Sequence, residues 1–537
     1  MKKFILFLFL LFSIVSIHSQ STIGLETQAS TGTGSWTSRQ AKLVTLIPSY
    51  TPIASVNELD IDKYGFSNQV TSIATGFFYT NKINNRWWII DPEGKAGINI
   101  AMNAMNDLNT DVALNTSYDR IRELGYNGTG NFLDNESQPI SYNTTHSNQF
   151  SYTRRINFFL NYKNSRKSYY PSTPSAVSGS LDYVFVLDPK FEEYCDNRAR
   201  TYAAPYKDEK NLLGYFIDNE INFNQDQLTN FLSDLVPGDP SYDAALCFIQ
   251  GQGITLAQVL AGNVSESVNQ AFATMLAEHY YQITSAALKK YDPNHLNLGS
   301  RLNGRTRSIE GVVKSSAKWC DVVSVNFYDS YSPDVTITST SKYLKWIDAP
   351  CMVGEFYVKG LDATNAGFVN GYSGAGWVVK TQAERGYFYQ NTCLELLKSK
   401  IYVGWHYFKF RDDSNSNKGI VKTSSKGGEE YTELTSQMSL VNNNIFKLIN
   451  YYDNTSEVEI PTKQNISFYL TKNNLVVKNI PAQSTLRIFE LSGRLLKIFP
   501  LNQGENQCPL PGLIRGLYTL EVKGKGMQTV YTSKLIL

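Results

Sequence analysis

The chain has 537 residues, of which 18% are charged and 13% aromatic, and a formal net charge of +2. That length supports more than one domain and a large core. The low, balanced charge has no dense Lys/Arg run, which argues against a nucleic-acid partner. The five histidines form no HExxH or close pair, so no metal or cofactor is expected.

Residues 1–20 have the pattern of a secretory signal peptide. Lys2 and Lys3 precede an apolar core from Phe4 to Ile17, and small and polar residues follow. The core is short for a membrane span of about 20 residues, and no later run is long enough. The chain is therefore expected to be secreted or held at the cell surface, with no integral membrane segment when mature. Residues 21–57 are rich in Ser and Thr and read as an N-terminal arm. An apolar strand around Trp87-Trp88-Ile89-Ile90 stops at Asp91-Pro92-Glu93-Gly94, which predicts a hairpin.

From there to residue 452, short apolar runs alternate with helical patterns. Strands are predicted at 96–102, 126–130, 212–219, 297–301, 322–327, 352–356 and 402–410. Two runs, 156–162 and 183–187, compete for the third strand. Helices are predicted at 118–124, 188–202, 264–290 and 383–397, the second opened by Asp188-Pro189. Residues 221–262 read as a polar insertion. The pattern fits a (β/α)8 TIM barrel over residues 58–452. A doubly wound sheet would usually carry a Gly-rich phosphate loop, and none is present. Residues 453–465 read as a linker. Residues 466–537 alternate like a small all-β sandwich of about seven strands. The cysteines (195, 247, 320, 351, 393 and 508) match no disulfide framework, so mostly buried free thiols are expected, with at most one bridge.

Strand four ends in Asp218-Asn219-Glu220 and strand seven in Gly354-Glu355-Phe356. Barrel active sites lie at the carboxyl ends of strands. Two carboxylates placed there suit hydrolysis of a glycosidic bond. Spaced about 5 Å apart, Glu355 would attack and Glu220 would protonate, giving retention. A spacing of roughly 6.5 Å or more would imply inversion. Asn219 could donate to the sugar 2-hydroxyl. Asp218 points to the opposite face and reads as structural. Arg301, ending strand five, is a substrate contact or a structural ion pair. Asn103, ending strand one, is a weaker candidate contact. His295 lies before its strand and reads as structural.

Four segments resemble the retaining (β/α)8 glycoside hydrolases of clan A, most closely the β-agarase-like members. Asn85-Arg86-Trp87-Trp88-Ile89-Ile90-Asp91-Pro92-Glu93-Gly94-Lys95 resembles their first hairpin. Gly214-Tyr215-Phe216-Ile217-Asp218-Asn219-Glu220 resembles their acid/base strand. Lys290-Tyr291-Asp292-Pro293-Asn294-His295-Leu296 resembles the approach to their strand five, and Gly354-Glu355-Phe356 their nucleophile strand. The resemblance implies Glu220 as acid/base, Glu355 as nucleophile and Tyr328 as a hydrogen-bond donor to that nucleophile. It also implies an aromatic sugar platform on strand eight, at His406 and Tyr407, with Trp405 the rival if the register slips by one. Residues 221–262 and 327–348 look particular to this chain. The expected activity is hydrolysis of an agarose- or porphyran-type galactan. A β-glucanase, a β-mannanase or a non-catalytic glycan-binding barrel are the alternatives.

In the tail, Leu486-Arg487-Ile488-Phe489-Glu490-Leu491-Ser492-Gly493-Arg494 and Gly516-Leu517-Tyr518 resemble the C-terminal sorting domain of the type IX secretion system of Bacteroidetes. The resemblance implies that secretion machinery as a partner. A carbohydrate-binding sandwich is the alternative.

Overall fold

The computed structural model describes residues 21–536 apart from 30–33, 54–57, 107–109, 134, 178, 225, 329–330, 332–342, 344–345, 364–373, 414–415, 424–427, 455–466, 471–473, 481–483, 491–494, 511–516 and 525–528. The expected signal peptide and most of the expected linker lie outside the described residues. The chain divides into two compact units between Tyr451 and Tyr452.

The first unit is α/β. Eight parallel strands form one sheet: β1 (Asn99–Met102), β2 (Gly128–Thr129), β3 (Ser151–Arg155), β4 (Leu212–Phe216), β5 (Leu296–Asn297), β6 (Val323–Phe327), β7 (Cys351–Phe356) and β8 (Tyr402–Tyr407). Their order is β5-β4-β3-β2-β1-β8-β7-β6, the sequential winding of a TIM-like fold. The edge strands also meet. Just past β5, Leu302 N–H donates to Ser324 O (2.9 Å) and Asn326 N–H to Leu302 O (2.8 Å).

β4, β7 and β8 are buried throughout, as strands covered on both faces must be. Gly214 lets β4 approach β5, since a Cβ there would fall 2.2 Å from Leu296 O. At the amino ends of the strands, Leu213, Leu296, Met352 and Val403 pack with Phe66, Phe78 and Ile89. These last three belong to an N-terminal region whose strands Ser67–Thr71, Tyr79–Ile83, Arg86–Ile90 and Lys95–Gly97 form an antiparallel sheet. Apolar packing thus closes that end and leaves the carboxyl ends for the site.

Three expectations need correction. The third strand is Ser151–Arg155 and neither of the two apolar runs. The first of those runs falls mostly in helix Phe158–Tyr169, and residues 183–187 are irregular. The 221–262 insertion is helical, with Gln227–Asp234, Pro240–Gly251 and Leu256–Leu260 burying Leu228, Phe231, Ala245 and Ile249. Helix Ile445–Asn454 runs through the first two positions of the expected linker. All six cysteines are free, so no bridge forms. The arm begins as a hairpin, Thr22–Thr27 against Thr37–Lys42, and buries Leu25 and Ala41 with Val358 and Phe388.

Among its described residues the second unit has seven strands, β9 (Ser467–Leu470), β10 (Asn474–Ile480), β11 (Ser484–Glu490), β12 (Leu495–Leu501), β13 (Gly504–Pro509), β14 (Leu517–Gly524) and β15 (Thr529–Ile536). They form antiparallel sheets ordered β9-β10-β13 and β12-β11-β14-β15. Leu475 and Val477 from one sheet and Leu486, Ile488 and Leu520 from the other share one apolar cluster.

Candidate active site

Five non-glycine residues just beyond the carboxyl ends of β1 to β5 have left-handed backbones. They are Ala104 (φ 52°), Phe132 (64°), Asn157 (58°), Glu220 (55°) and Arg301 (55°). Each such residue costs about 1–2 kcal/mol. Strain of this kind collects at functional sites, where the surrounding structure holds it in place. At Glu220 the backbone N–H donates to Ser300 O (2.9 Å), tying the end of β4 to the end of β5.

Glu355, on β7, is 6% exposed. Arg301 Nη2 donates to its Oε1 (2.6 Å) and to Gly354 O (2.9 Å). The Tyr328 hydroxyl donates to Oε2. Both oxygens accept, as an ionised carboxylate does. Gly354 makes room for this arrangement. A Cβ there would lie 2.9 Å from both Arg301 Nε and Asn326 Oδ1.

Glu220 is only half-buried. Its Oε1 accepts from Asn326 Nδ2 (2.7 Å). Burial, with the charge of Glu355 adding to it, pushes its pKa above the usual value, against hydrogen bonds from Asn326 and Asn303 and the charge of Arg301. The two carboxyls therefore sense each other. The Oδ1 of Asn219 is buried with no hydrogen-bond partner among the described residues. Asn326 and Asn303 escaped the sequence reading. The available signal for Asn326 was its place two residues before Tyr328, on the same face of a strand.

The structure brings Glu220, Asn219, Arg301, Tyr328 and Glu355 together. It does not give the other candidates open faces. Trp405, His406 and Tyr407 are all 1% exposed or less. Trp405 Nε1 donates to Tyr389 (3.0 Å), Tyr407 accepts from Arg385 (2.8 Å), and His406 Nε2 meets Asn99 Oδ1 (2.8 Å). Burial, with Arg301 nearby, pushes the His406 pKa down to about 3, so its ring is neutral. Half-buried Phe408, the next residue, is the ring that β8 leaves partly open. Asn103 is also sealed. Its Nδ2 donates to Gly354 O (2.9 Å) and its Oδ1 accepts from Asn131 N–H (2.9 Å).

Asp218 and His295 sit where structural residues belong. Asp218 accepts from the first backbone N–H groups of helix Phe158–Tyr169, at Phe159 (2.8 Å) and Leu160 (3.0 Å), and from Tyr280 (2.8 Å). His295 bridges Asp292 Oδ2 (2.8 Å) and Glu209 O (2.7 Å). Among the described residues, no group of His, Cys, Asp and Glu could hold a metal ion, and no helix is long and apolar enough to cross a membrane.

No family model matches the chain. It is 25% identical over 278 residues to β-agarase B of Vibrio sp. (strain JT0107), covering 45% of this chain and 28% of that protein. It is 27% identical over 267 residues to β-agarase A of the same strain, covering 42% and 26%. The matched part thus spans about a quarter of the length of these curated relatives. The crystal structure of BpGH50 superimposes with a TM-score of 0.72 at 28% identity, covering 80% of this chain and 96% of that one. An exo-β-agarase matches with a TM-score of 0.57 at 18% identity, covering 75% and 72%, a likeness of fold alone.

Proposed function

We propose that the protein is a retaining glycoside hydrolase acting on an agar-type galactan. The observation that carries this is the pair of glutamates at the ends of β4 and β7 in opposite surroundings. Glu355 is held between a guanidinium and a phenol and attacks the anomeric carbon. Glu220, its pKa raised by burial, delivers its proton to the leaving oxygen. It then takes a proton from the water that releases the sugar from Glu355. Asn219 binds the sugar beside the scissile bond. Similarity to the Vibrio β-agarases supports the choice of galactan. The chain is read as exported by its signal peptide, with the tail, a small sandwich, directing it through type IX machinery.

A substrate panel tests the reaction and the glycan together. Pure protein incubated with agarose, porphyran, laminarin and mannan should release oligosaccharides from a galactan. Release from laminarin or mannan alone would overturn the galactan assignment. For export, a chain lacking residues 466–537 should stay inside a type IX-competent host, and its normal appearance outside would refute the sorting role.

A further inference from the structure

Aromatic rings run along the carboxyl ends of β6, β7, β8 and β2. Tyr328 lies 4.9 Å from Tyr357, Tyr357 6.2 Å from Phe408, and Phe408 5.7 Å from Phe132, between ring centroids. Cations sit over three of these rings. Lys418 lies 5.3 Å from Tyr357 and Lys409 5.9 Å from Phe408. Arg155 and Arg301 lie 4.5 Å and 5.2 Å from Phe132.

Among the described residues, carboxylates do not match these cations one for one. Glu355 pairs with Arg301. Asp413 serves both Lys409 (2.5 Å) and Lys418 (3.1 Å). Glu136, the acid nearest in sequence, pairs with Arg154 (2.7 Å). Arg155, the last residue of β3, is half-buried and makes no hydrogen bond or ion pair among the described residues. Burial and repulsion from Arg301 lower its pKa, with Asp218, Glu355 and Glu136 acting more weakly the other way.

Structural arginines of this molecule look different. Arg166 pairs with Asp188 (2.6 Å) and Asp239 (2.7 Å). Arg385 donates to Val358 O, Gln382, Tyr407, Lys418 O and Gly419 O. Among the described residues, none accepts a hydrogen bond from the Arg155 guanidinium, and the cations around these rings outnumber the carboxylates whenever Glu220 carries its proton. A neutral sugar closing over it would desolvate an uncompensated guanidinium, which is costly. An anionic group would neutralise it, and the planar fork of donors suits an oxyanion.

We propose that this rim recognises an anionic substituent on the galactan, a sulfate ester or a carboxylate, and that Arg155 is its contact. The proposal rests on the galactanase reading above. The test compares kcat/KM on three galactan oligosaccharides: one bearing a sulfate ester, the same one desulfated, and one bearing a carboxylate. At least one anionic substrate should be preferred over the desulfated one by about tenfold or more, mainly through KM, as a charge-assisted contact predicts. The better anion identifies the substituent. Arg155→Gln should bring the ratio close to one, and Arg155→Lys should keep part of it. Cleavage of the desulfated substrate as good as or better than that of both anionic ones by the unaltered protein would overturn the proposal. So would an Arg155→Gln variant that slows all three substrates by one factor. Cleavage of none of the three would instead refute the galactan reading itself, and the proposal with it.

Discussion

The stations at the ends of β4 and β7 hold the same residue type in different settings. Glu355 is buried and has both oxygens occupied, by a guanidinium and a phenol. Glu220 is half-buried on a left-handed backbone, and a neutral amide donates to its carboxyl. One setting fixes a negative charge in place. The other raises the pKa of its carboxyl. In the proposed reaction, two carboxyls separated in this way divide the roles of nucleophile and acid between them. Partners and burial, more than residue identity, decide which is which.

Substitutions should expose that difference in graded steps. Glu355→Ala should lose more than about 10⁴-fold in kcat on every substrate, because charge and covalent step vanish together. Glu220→Ala should lose roughly 10²–10⁴-fold on a natural glycan. It should lose far less on an aryl glycoside whose leaving group needs no proton. Equal losses on both substrates would erase the proposed division.

Asn326→Ala should have a smaller, more diagnostic effect. The Asn326 amide favours the charged form of Glu220, so removing it should raise that pKa further. Activity needing protonated Glu220 falls as pH rises through this pKa. The descending limb of kcat/KM should therefore move to higher pH, and an unmoved limb would detach Asn326 from the acid. The last effect, confined to acid pH, concerns His406. Its folded pKa is depressed to about 3 from 6.5, so the native ring stays neutral while the unfolded one protonates. The stability this contributes is full above about pH 6.5 and is lost as pH falls towards 3, by at most about 1.4 kcal/mol per pH unit. Proton NMR should show no His406 titration between about pH 5 and 8.

Much of the barrel was readable in advance because β4, β7 and β8 are continuous apolar runs, as strands buried on both faces are. β3 was not, because Ser-Tyr-Thr-Arg-Arg looks polar. Its Ser151 and Thr153 are nonetheless buried, bonded to Asn99 (2.9 Å) and Asn131 (3.0 Å). Glu220 follows β4, Glu355 lies on β7, and the Tyr328 hydroxyl donates to Glu355. The β8 aromatics failed for a local reason. Trp405 and Tyr407 point into packed surroundings, and the partly open ring falls at Phe408, one residue later. Asn103 looked available from its position, yet its amide is consumed by Gly354 and Asn131. Left-handed turns at Glu220 and Arg301 have no sequence signal without a glycine.

Azide rescue tests the assignment of Glu220 and Glu355 most directly. With an activated β-galactoside, azide should enter the space left in Glu355→Ala and yield the α-galactosyl azide. In Glu220→Ala it should instead attack the sugar held on Glu355 and yield the β-galactosyl azide. Each variant giving its own anomer is the result expected here. The opposite pairing of variant and anomer would contradict the roles given to Glu220 and Glu355.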